Sequence, residues 1–137
     1  MPRADEKKIL IVDNDSSSLT VYTAYLKRHP HLTIRTARNG YEALEIATQD
    51  NFDLIHINIQ IPKLDGIETI KRLRMMSNYQ YTPILVISTV CTKCSLIESK
   101  KAGGNEFIRV PISRENYLDK IEYYTSSNYR LETNRLF

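Results

Sequence analysis

Five short apolar runs alternate with five segments of helical periodicity, and this alternation limits the fold more than any other feature. The runs are rich in Ile, Leu and Val, which is typical of strands that are buried on both faces. They lie at residues 8–12, 32–37, 54–59, 84–87 and 107–110. Strands and helices in this order form right-handed βαβ units, so we predict an α/β fold with helices on both faces of a parallel sheet.

Each intervening segment carries an apolar stripe at helical spacing. Pro30 ends the first helix and Ser113 caps the last one. The fourth helix, near residues 92–102, has the weakest stripe because Ser99 and two lysines interrupt it. We expect the following residues to face the sheet: Leu19, Tyr22, Thr23, Leu26, Tyr41, Leu44, Ala47, Ile67, Ile70, Leu73, Leu96, Ile97, Ala102, Tyr117, Leu118, Ile121 and Tyr124.

The 137 residues suffice for one domain, which we place at residues 7–125. A polar arm precedes it at residues 1–6, and residues 126–137 extend the last helix or form a tail. The net charge of +3 is small and the basic residues do not concentrate on one face, so we expect no direct nucleic-acid binding. The charged N-terminus is unlike a signal peptide and no run is long enough to span a membrane, which favours a cytoplasmic protein.

The candidate site lies at the end of the third strand. Asn58 stands at the carboxyl end of that strand, where ligands bind in open α/β sheets. Pro62, Asp65 and Gly66 follow it and supply a turn and the start of a helix. The central residue is therefore an amide at a position where a nucleophile would be expected.

The ordered motifs of residues 7–125 resemble the response-regulator receiver family, the CheY-like domains of two-component signal transduction and phosphorelays. This resemblance implies a flavodoxin-like (βα)5 three-layer sandwich with strand order 2-1-3-4-5. The matching stretches are Ile9-Leu-Ile-Val-Asp13, Ala37-Arg-Asn39-Gly40-Tyr-Glu42-Ala-Leu44, Asp53-Leu54-Ile55, Pro62-Lys-Leu-Asp65-Gly66-Ile-Glu68, Pro83-Ile-Leu-Val-Ile87, and Ala102-Gly103 before Phe107 and Pro111.

The residues that carry phosphotransfer in the family are only partly present. In the family an aspartate accepts the phosphoryl group, an acidic pair helps to hold Mg²⁺, and a hydroxyl and a lysine bind the phosphate. By position, the acceptor falls on Asn58 and the acidic pair on Asp13 and Asn14. The hydroxyl falls on Ser88 and the lysine on Val110.

The three departures have consistent chemical consequences. The Asn58 amide is a poor nucleophile, so we expect no acyl phosphate and no catalytic residue. Asp13 alone should bind Mg²⁺ weakly or not at all, so we expect no metal site and no cofactor. A buried lysine without a carboxylate partner would be costly, and an apolar Val110 beside a neutral Asn58 avoids that cost.

We therefore interpret the chain as a pseudo-receiver, a phosphorylation-independent protein–protein interaction module and not an enzyme. The resemblance implies partners of a signalling pathway, or a homodimer, on the face formed by the fourth helix, fifth strand and fifth helix. It also identifies Phe107 as the switch aromatic. The residues that the resemblance places on the interaction face are Glu98, Lys101, Arg109, Tyr117 and Lys120.

Two alternatives remain from the sequence. The first is a receiver that is phosphorylated on a non-standard aspartate: Asp65, Asp13 or Asp15. The second is thiol redox sensing at Cys91 and Cys94, near the start of the fourth helix, where a thiolate would be favoured. We expect instead that the two cysteines are small, partly buried residues of that helix.

Overall fold

The computed structural model describes residues 6–126, which form a five-stranded parallel sheet covered by helices. The strands are hydrogen-bonded in the order β2-β1-β3-β4-β5, as predicted. Residues of the N-terminal arm before Glu6, and of the C-terminal extension beyond Ser126, lie outside the described part. The elements are β1 Lys7–Val12, α1 Ser16–Leu26, β2 Leu32–Ala37, α2 Gly40–Gln49, β3 Leu54–Asn58, α3 Gly66–Arg74, a 3₁₀ turn Ser77–Tyr79, β4 Ile84–Ser88, α4 Lys93–Ala102, β5 Glu106–Arg109 and α5 Arg114–Thr125.

Two apolar layers hold the helices on opposite faces of the sheet. On one face, α2 and α3 pack residues such as Ile46, Ile70 and Leu73 against the strands. On the other face, α1 and α5 contribute Leu26 and Ile121, among others. The central strands β1, β3 and β4 are almost fully buried, which explains their near-continuous apolar sequences.

Three predicted helix faces were partly wrong. Thr23 of α1 and Tyr41 of α2 are exposed, because the inward stripes run through neighbouring positions instead. In α4, Leu96 and Ile97 are 40% and 44% exposed. The small residues Ser99 and Ala102 face the protein there, so α4 lies close to the sheet and turns its larger apolar side chains outward.

Arg74 at the end of α3 forms hydrogen bonds with backbone carbonyl groups in three other places of the chain. Its guanidinium donates to the carbonyl oxygens of Tyr79 and Thr82, both at 2.6 Å, and to that of Gly103 at 2.7 Å. Gly103 has φ of +118°, and a Cβ there would come within 2.8 Å of the Arg74 side chain. The end of α4 therefore needs glycine for both its conformation and its closeness to Arg74.

Within residues 6–126, no helix combines the length and the apolar character that crossing a membrane requires.

Candidate functional site

The candidate site lies at one edge of the sheet, where parallel strands bring four chain segments together. Asp13 follows β1, Asn58 ends β3 and Ser88 ends β4. Val110 directly follows β5, and its N–H donates to the Ser88 carbonyl oxygen at 3.0 Å. The fold thus brings together residues that are distant in sequence; Asp13 and Val110, the first and last of them, are 97 positions apart.

Asn58 and Asp13 form the centre of the site. The Asp13 carboxylate is buried; its Oδ2 accepts from the Asn58 amide at 3.4 Å and its Oδ1 from the Asp15 N–H at 2.9 Å. The Asn58 Oδ1 accepts from the Gln60 N–H at 2.8 Å. Both ends of the Asn58 amide are therefore used, one as a donor to a carboxylate and one as an acceptor in the following loop.

The second acidic side chain after β1, that of Asp15, caps a helix and does not point into the strand-end site. Asp15 is the N-cap of α1, and its Oδ2 accepts from the Ser18 hydroxyl at 2.7 Å and the Ser18 N–H at 3.2 Å. The hydrogen bond from the Ser18 hydroxyl is the main reason that the pKa of Asp15 lies below its usual value. Asn14 is exposed, and its carbonyl oxygen accepts from Arg38 at 3.1 Å.

The residues at the ends of β4 and β5 are held by backbone contacts and apolar packing. Ser88 is fully buried, and its Oγ accepts from the Val90 N–H at 3.1 Å. Val110 is half-buried and packs against the apolar layer of α1 and α5. The peptide bond between Val110 and Pro111 is cis.

The loop after β3 approaches the site closely. Asp65 caps α3 by accepting from the Glu68 N–H at 2.9 Å. Gly66 is buried, and a Cβ at this position would lie 2.5 Å from Ile59 Cα and 2.7 Å from the Asn58 carbonyl oxygen. Only glycine lets the start of α3 lie this close to the strand end, whereas Pro62 is exposed on the loop.

The donor atoms at the strand ends do not fit Mg²⁺. This ion binds through carboxylates together with water and phosphate oxygens, in near-octahedral geometry. Asp13 is the carboxylate at the centre, and both of its oxygens already accept hydrogen bonds from the chain. Across the described part of the chain, no three acidic, His or Cys side chains form a group that could hold a metal ion.

The five residues of the expected interaction face differ in their exposure. Glu98, Lys101 and Arg109 are exposed on α4 and β5. Lys120 of α5 contacts the Glu106 carboxylate, which also accepts from the Tyr124 hydroxyl. Tyr117 does not belong to this face.

Tyr117 is fully buried between α5 and the sheet, because its ring fills the apolar layer that α5 shares with α1. Its prediction as an inward residue of α5 is therefore confirmed, whereas its assignment to the interaction face was wrong. Phe107 is half-buried in β5 and lines grooves on the α4 side and on the α5 side of that strand.

His56 is a functional candidate that the sequence reading missed. It is fully buried in β3, with Nδ1 2.7 Å from the Tyr117 hydroxyl, and its Nε2 is the one buried side-chain nitrogen or oxygen of residues 6–126 without a partner. Burial lowers the pKa of His56 to about 3, so the ring is neutral. A polar residue inside the apolar run of β3 was the signal that could have identified it.

Cys91 and Cys94 are both exposed, so the expectation of partial burial was wrong. Cys91 precedes α4 and Cys94 lies in its first turn. Both cysteine side chains point away from the sheet. The Cys94 Sγ is 3.6 Å from a carboxylate oxygen of Glu98, one turn further along.

The sheet order defines a doubly wound, flavodoxin-like α/β domain with polar residues gathered at the carboxyl ends of its strands. The family model for the response regulator receiver domain matches residues 9–122, and the chain belongs to this family. The polar-differentiation response regulator DivK of Brucella anthropi is 28% identical over 118 residues, which cover 86% of this chain and 95% of that protein.

Solved structures give the same fold. The chemotaxis protein CheY4 of Vibrio cholerae has 29% identity and a TM-score of 0.82, with 87% of this chain and 98% of that chain covered. The receiver domain of the sensor histidine kinase PA1611 of Pseudomonas aeruginosa, solved with a magnesium ion coordinated in its active site cleft, has 21% identity and a TM-score of 0.82 over 89% of this chain and 99% of that chain. At that identity the second likeness concerns the fold alone.

Proposed function

We propose that this receiver domain acts in two-component signalling as a phosphorylation-independent protein-interaction module. The observation that carries the proposal is the hydrogen bond from the Asn58 amide to the Asp13 carboxylate. An amide is uncharged and weakly nucleophilic, so the residue at the acceptor position does not attack phosphorus. It serves instead as a neutral partner for the buried carboxylate.

The surroundings of this pair support the same interpretation. Asn58 and Asn14 leave Asp13 without the carboxylate neighbours that would gather Mg²⁺. Val110 packs into an apolar layer at the position where the family has a lysine. The Asp13 carboxylate accepts hydrogen bonds from the Asn58 amide and the Asp15 N–H, so its two oxygens have partners without a lysine or a metal ion.

The three aspartates of the alternative hypothesis are engaged in structural hydrogen bonds. Asp65 and Asp15 cap α3 and α1, and Asp13 is buried and bonded to Asn58. Phosphorylation of either cap would turn one carboxylate oxygen into the bridging oxygen of an acyl phosphate and would change the hydrogen bonds that hold the helix start. The geometry thus favours the interaction module over a displaced phosphoacceptor.

Intact-mass analysis after incubation with acetyl phosphate and Mg²⁺ tests the proposal. We expect no phosphoryl adduct on the native chain. The matched control is a variant with Asn14→Asp, Asn58→Asp and Val110→Lys, in which we expect an adduct that hydroxylamine removes. A hydroxylamine-labile adduct on the native chain would overturn the proposal.

The outward side of α4 and β5 is the surface best suited to a partner. Leu96 and Ile97 are exposed there, beside a groove of about 430 Å³ that Phe107 also lines. Exposed apolar side chains beside charged ones, here Lys100 and Glu106 of the same groove, are typical of protein interfaces. A signalling protein is the expected occupant, with a second copy of this chain as the alternative.

A further inference from the structure

A cavity of about 300 Å³ opens beside the strand-end site, between α1 and the loop that joins β5 to α5. This volume is at the lower end of the range for small-molecule sites, and the walls are mainly apolar. The residues that line the cavity are Ser17, Ser18, Val21, Tyr22, Tyr25, Thr89, Val110, Pro111 and Ile112.

The charge around the cavity selects against anions. Among residues 6–126, no Lys, Arg or His side chain lines it. The negative charges of Asp13 and Asp15 act on Tyr22 in its wall. Phosphate and other anions would therefore be repelled, and the apolar walls favour an uncharged ligand.

Tyr22 supplies a hydrogen-bond donor to the cavity. The residue is only 5% exposed, yet within residues 6–126 its hydroxyl has no hydrogen-bond partner and is not sealed from solvent. Burial, with the charge of Asp13 next, raises the pKa of Tyr22 to about 12, so the hydroxyl keeps its proton. A ligand with an acceptor atom would accept a hydrogen bond from this hydroxyl in place of solvent.

The ring of Tyr22 also packs against buried aromatic residues, one of which belongs to α5. Its ring centroid lies 4.4 Å from that of His56 and 5.2 Å from that of Tyr117. Both of these residues are fully buried, and Tyr117 belongs to α5. A ligand that shifts Tyr22 would consequently change the packing of α1 against α5.

We propose that this cavity binds a small neutral molecule, mostly apolar with one hydrogen-bond acceptor, and that the bound molecule adjusts the packing of α5. The site exists because Val110 contributes an apolar wall at the point where a lysine would place a charge. The regulatory part rests on the proposed phosphorylation-independent function, whereas the binding itself does not.

The test is an NMR titration of the full ¹⁵N-labelled chain with three probes: p-cresol, toluene and inorganic phosphate. We expect saturable p-cresol shifts at the amides of the cavity wall and of Tyr117, with a Kd on the order of 1 mM for so small a ligand. Tyr22→Phe should weaken p-cresol binding by about tenfold and leave toluene binding unchanged, because only the hydroxyl is lost.

Two Val→Lys substitutions form a matched pair. Val110→Lys fills the cavity with a charged side chain and should weaken p-cresol binding by about tenfold or more. Val90→Lys makes the same change at an exposed residue outside the wall and should leave binding unaltered. If Val110→Lys does not fold, Val21→Trp at the exposed rim provides the same block.

The proposal is overturned if p-cresol gives no saturable shift or binds Val110→Lys and Val21→Trp as well as the native chain. Equal shifts with inorganic phosphate would also overturn it, because the cavity would then be an anion site. The proposal is also overturned if p-cresol does not bind and Val110→Lys abolishes the binding of a protein from the host. In that case the cavity would hold a side chain of a protein partner. A phosphoryl adduct in the mass analysis would overturn the proposed function and leave p-cresol binding intact, so the two failures are distinguishable.

Discussion

His56 is a neutral imidazole enclosed by aromatic rings, and within residues 6–126 the one hydrogen bond of its ring is the one with the Tyr117 hydroxyl. The neutral form is kept because the charged form would lose its hydration inside β3. In the unfolded chain the ring titrates near its ordinary value of 6.5, against about 3 in the fold. Between these two values the unfolded chain binds more protons, so acid favours unfolding.

We predict that the contribution of His56 lowers the free energy of unfolding by about 2 kcal/mol between pH 7 and pH 5. Urea denaturation at several pH values measures this slope. The control is the double variant His56→Leu with Tyr117→Phe, which removes both polar partners together and should have a shallower slope. Equal slopes in the two proteins would contradict the prediction.

Asn58→Asp is predicted to destabilise the fold without restoring the family's chemistry. The new carboxylate would replace the donor to Asp13 by a like charge, at a cost of about 1–2 kcal/mol at pH 7. The cost should shrink near pH 4, where one carboxyl group takes up a proton. Mg²⁺ should raise the stability of this variant and leave the native chain unchanged, as thermal unfolding with and without the ion would measure.

Asn58→Ala is the control for charge in that experiment. It removes the same hydrogen bond but adds no carboxylate, so its cost should depend little on pH or Mg²⁺. An Asn58→Asp variant that is as stable as the native chain at pH 7 would contradict our account of the Asp13 site.

At the scale of the elements, the end of α3 depends on Arg74 more than its sequence position suggests. The last turn of α3 contains Lys71, Arg72 and Arg74, and of these three only Arg74 points inward, toward carbonyl oxygens at the ends of the 3₁₀ turn and α4. A charged donor that satisfies several carbonyl groups is worth more than a surface ion pair.

Arg74→Ala should lower the free energy of unfolding by about 3 kcal/mol, because the carbonyl oxygens of Tyr79, Thr82 and Gly103 lose a charged donor. Arg72→Ala is the matched control: its partner is the exposed Glu68 at 3.5 Å, and we expect a change below about 0.5 kcal/mol. Chemical denaturation of both variants measures the difference. Similar values for the two would contradict a special role for Arg74.

At the scale of the whole molecule, the alternation of strands and helices was enough to predict a parallel sheet and all ten main elements, and the family resemblance supplied the sheet order. Buried central strands have an unmistakable composition, and proline and glycine mark the helix ends. The errors concern side chains whose direction depends on contacts between distant segments. Leu96 and Ile97 face outward because Ser99 and Ala102 let α4 approach the sheet, and no local pattern carries that information.

For the candidate site, the positions of the residues could be predicted from the sequence, but their contacts could not. Its central residues follow the strand ends, so Asp13, Asn58, Ser88 and Val110 could be placed by counting along the motifs. Their hydrogen bonds could not be placed, since Asp15 might have turned toward Asp13 but caps α1 instead. The cavity at Tyr22 could not be predicted either, because three separate segments of the chain form its wall.

The outward apolar side chains of α4 lead to a prediction for the assembled signalling complex. Leu96→Glu with Ile97→Glu should reduce the amount of partner that the immobilised chain retains by about tenfold, because two apolar contacts are lost at a typical interface. Met75→Glu is the control, as Met75 is 84% exposed but lies beyond α3. Equal retention by both variants would exclude α4 as the partner surface.

The hydrogen bond between Asn58 and Asp13 also bears on how such a domain could change over generations. A single Asn58→Asp reversion would place two carboxylates together without a lysine nearby, and a single Val110→Lys reversion would push a charge into an apolar layer. Each step back toward phosphotransfer is thus disfavoured until the others have been taken. Single substitutions toward the family's phosphotransfer residues should therefore cost more stability than the same substitutions made together.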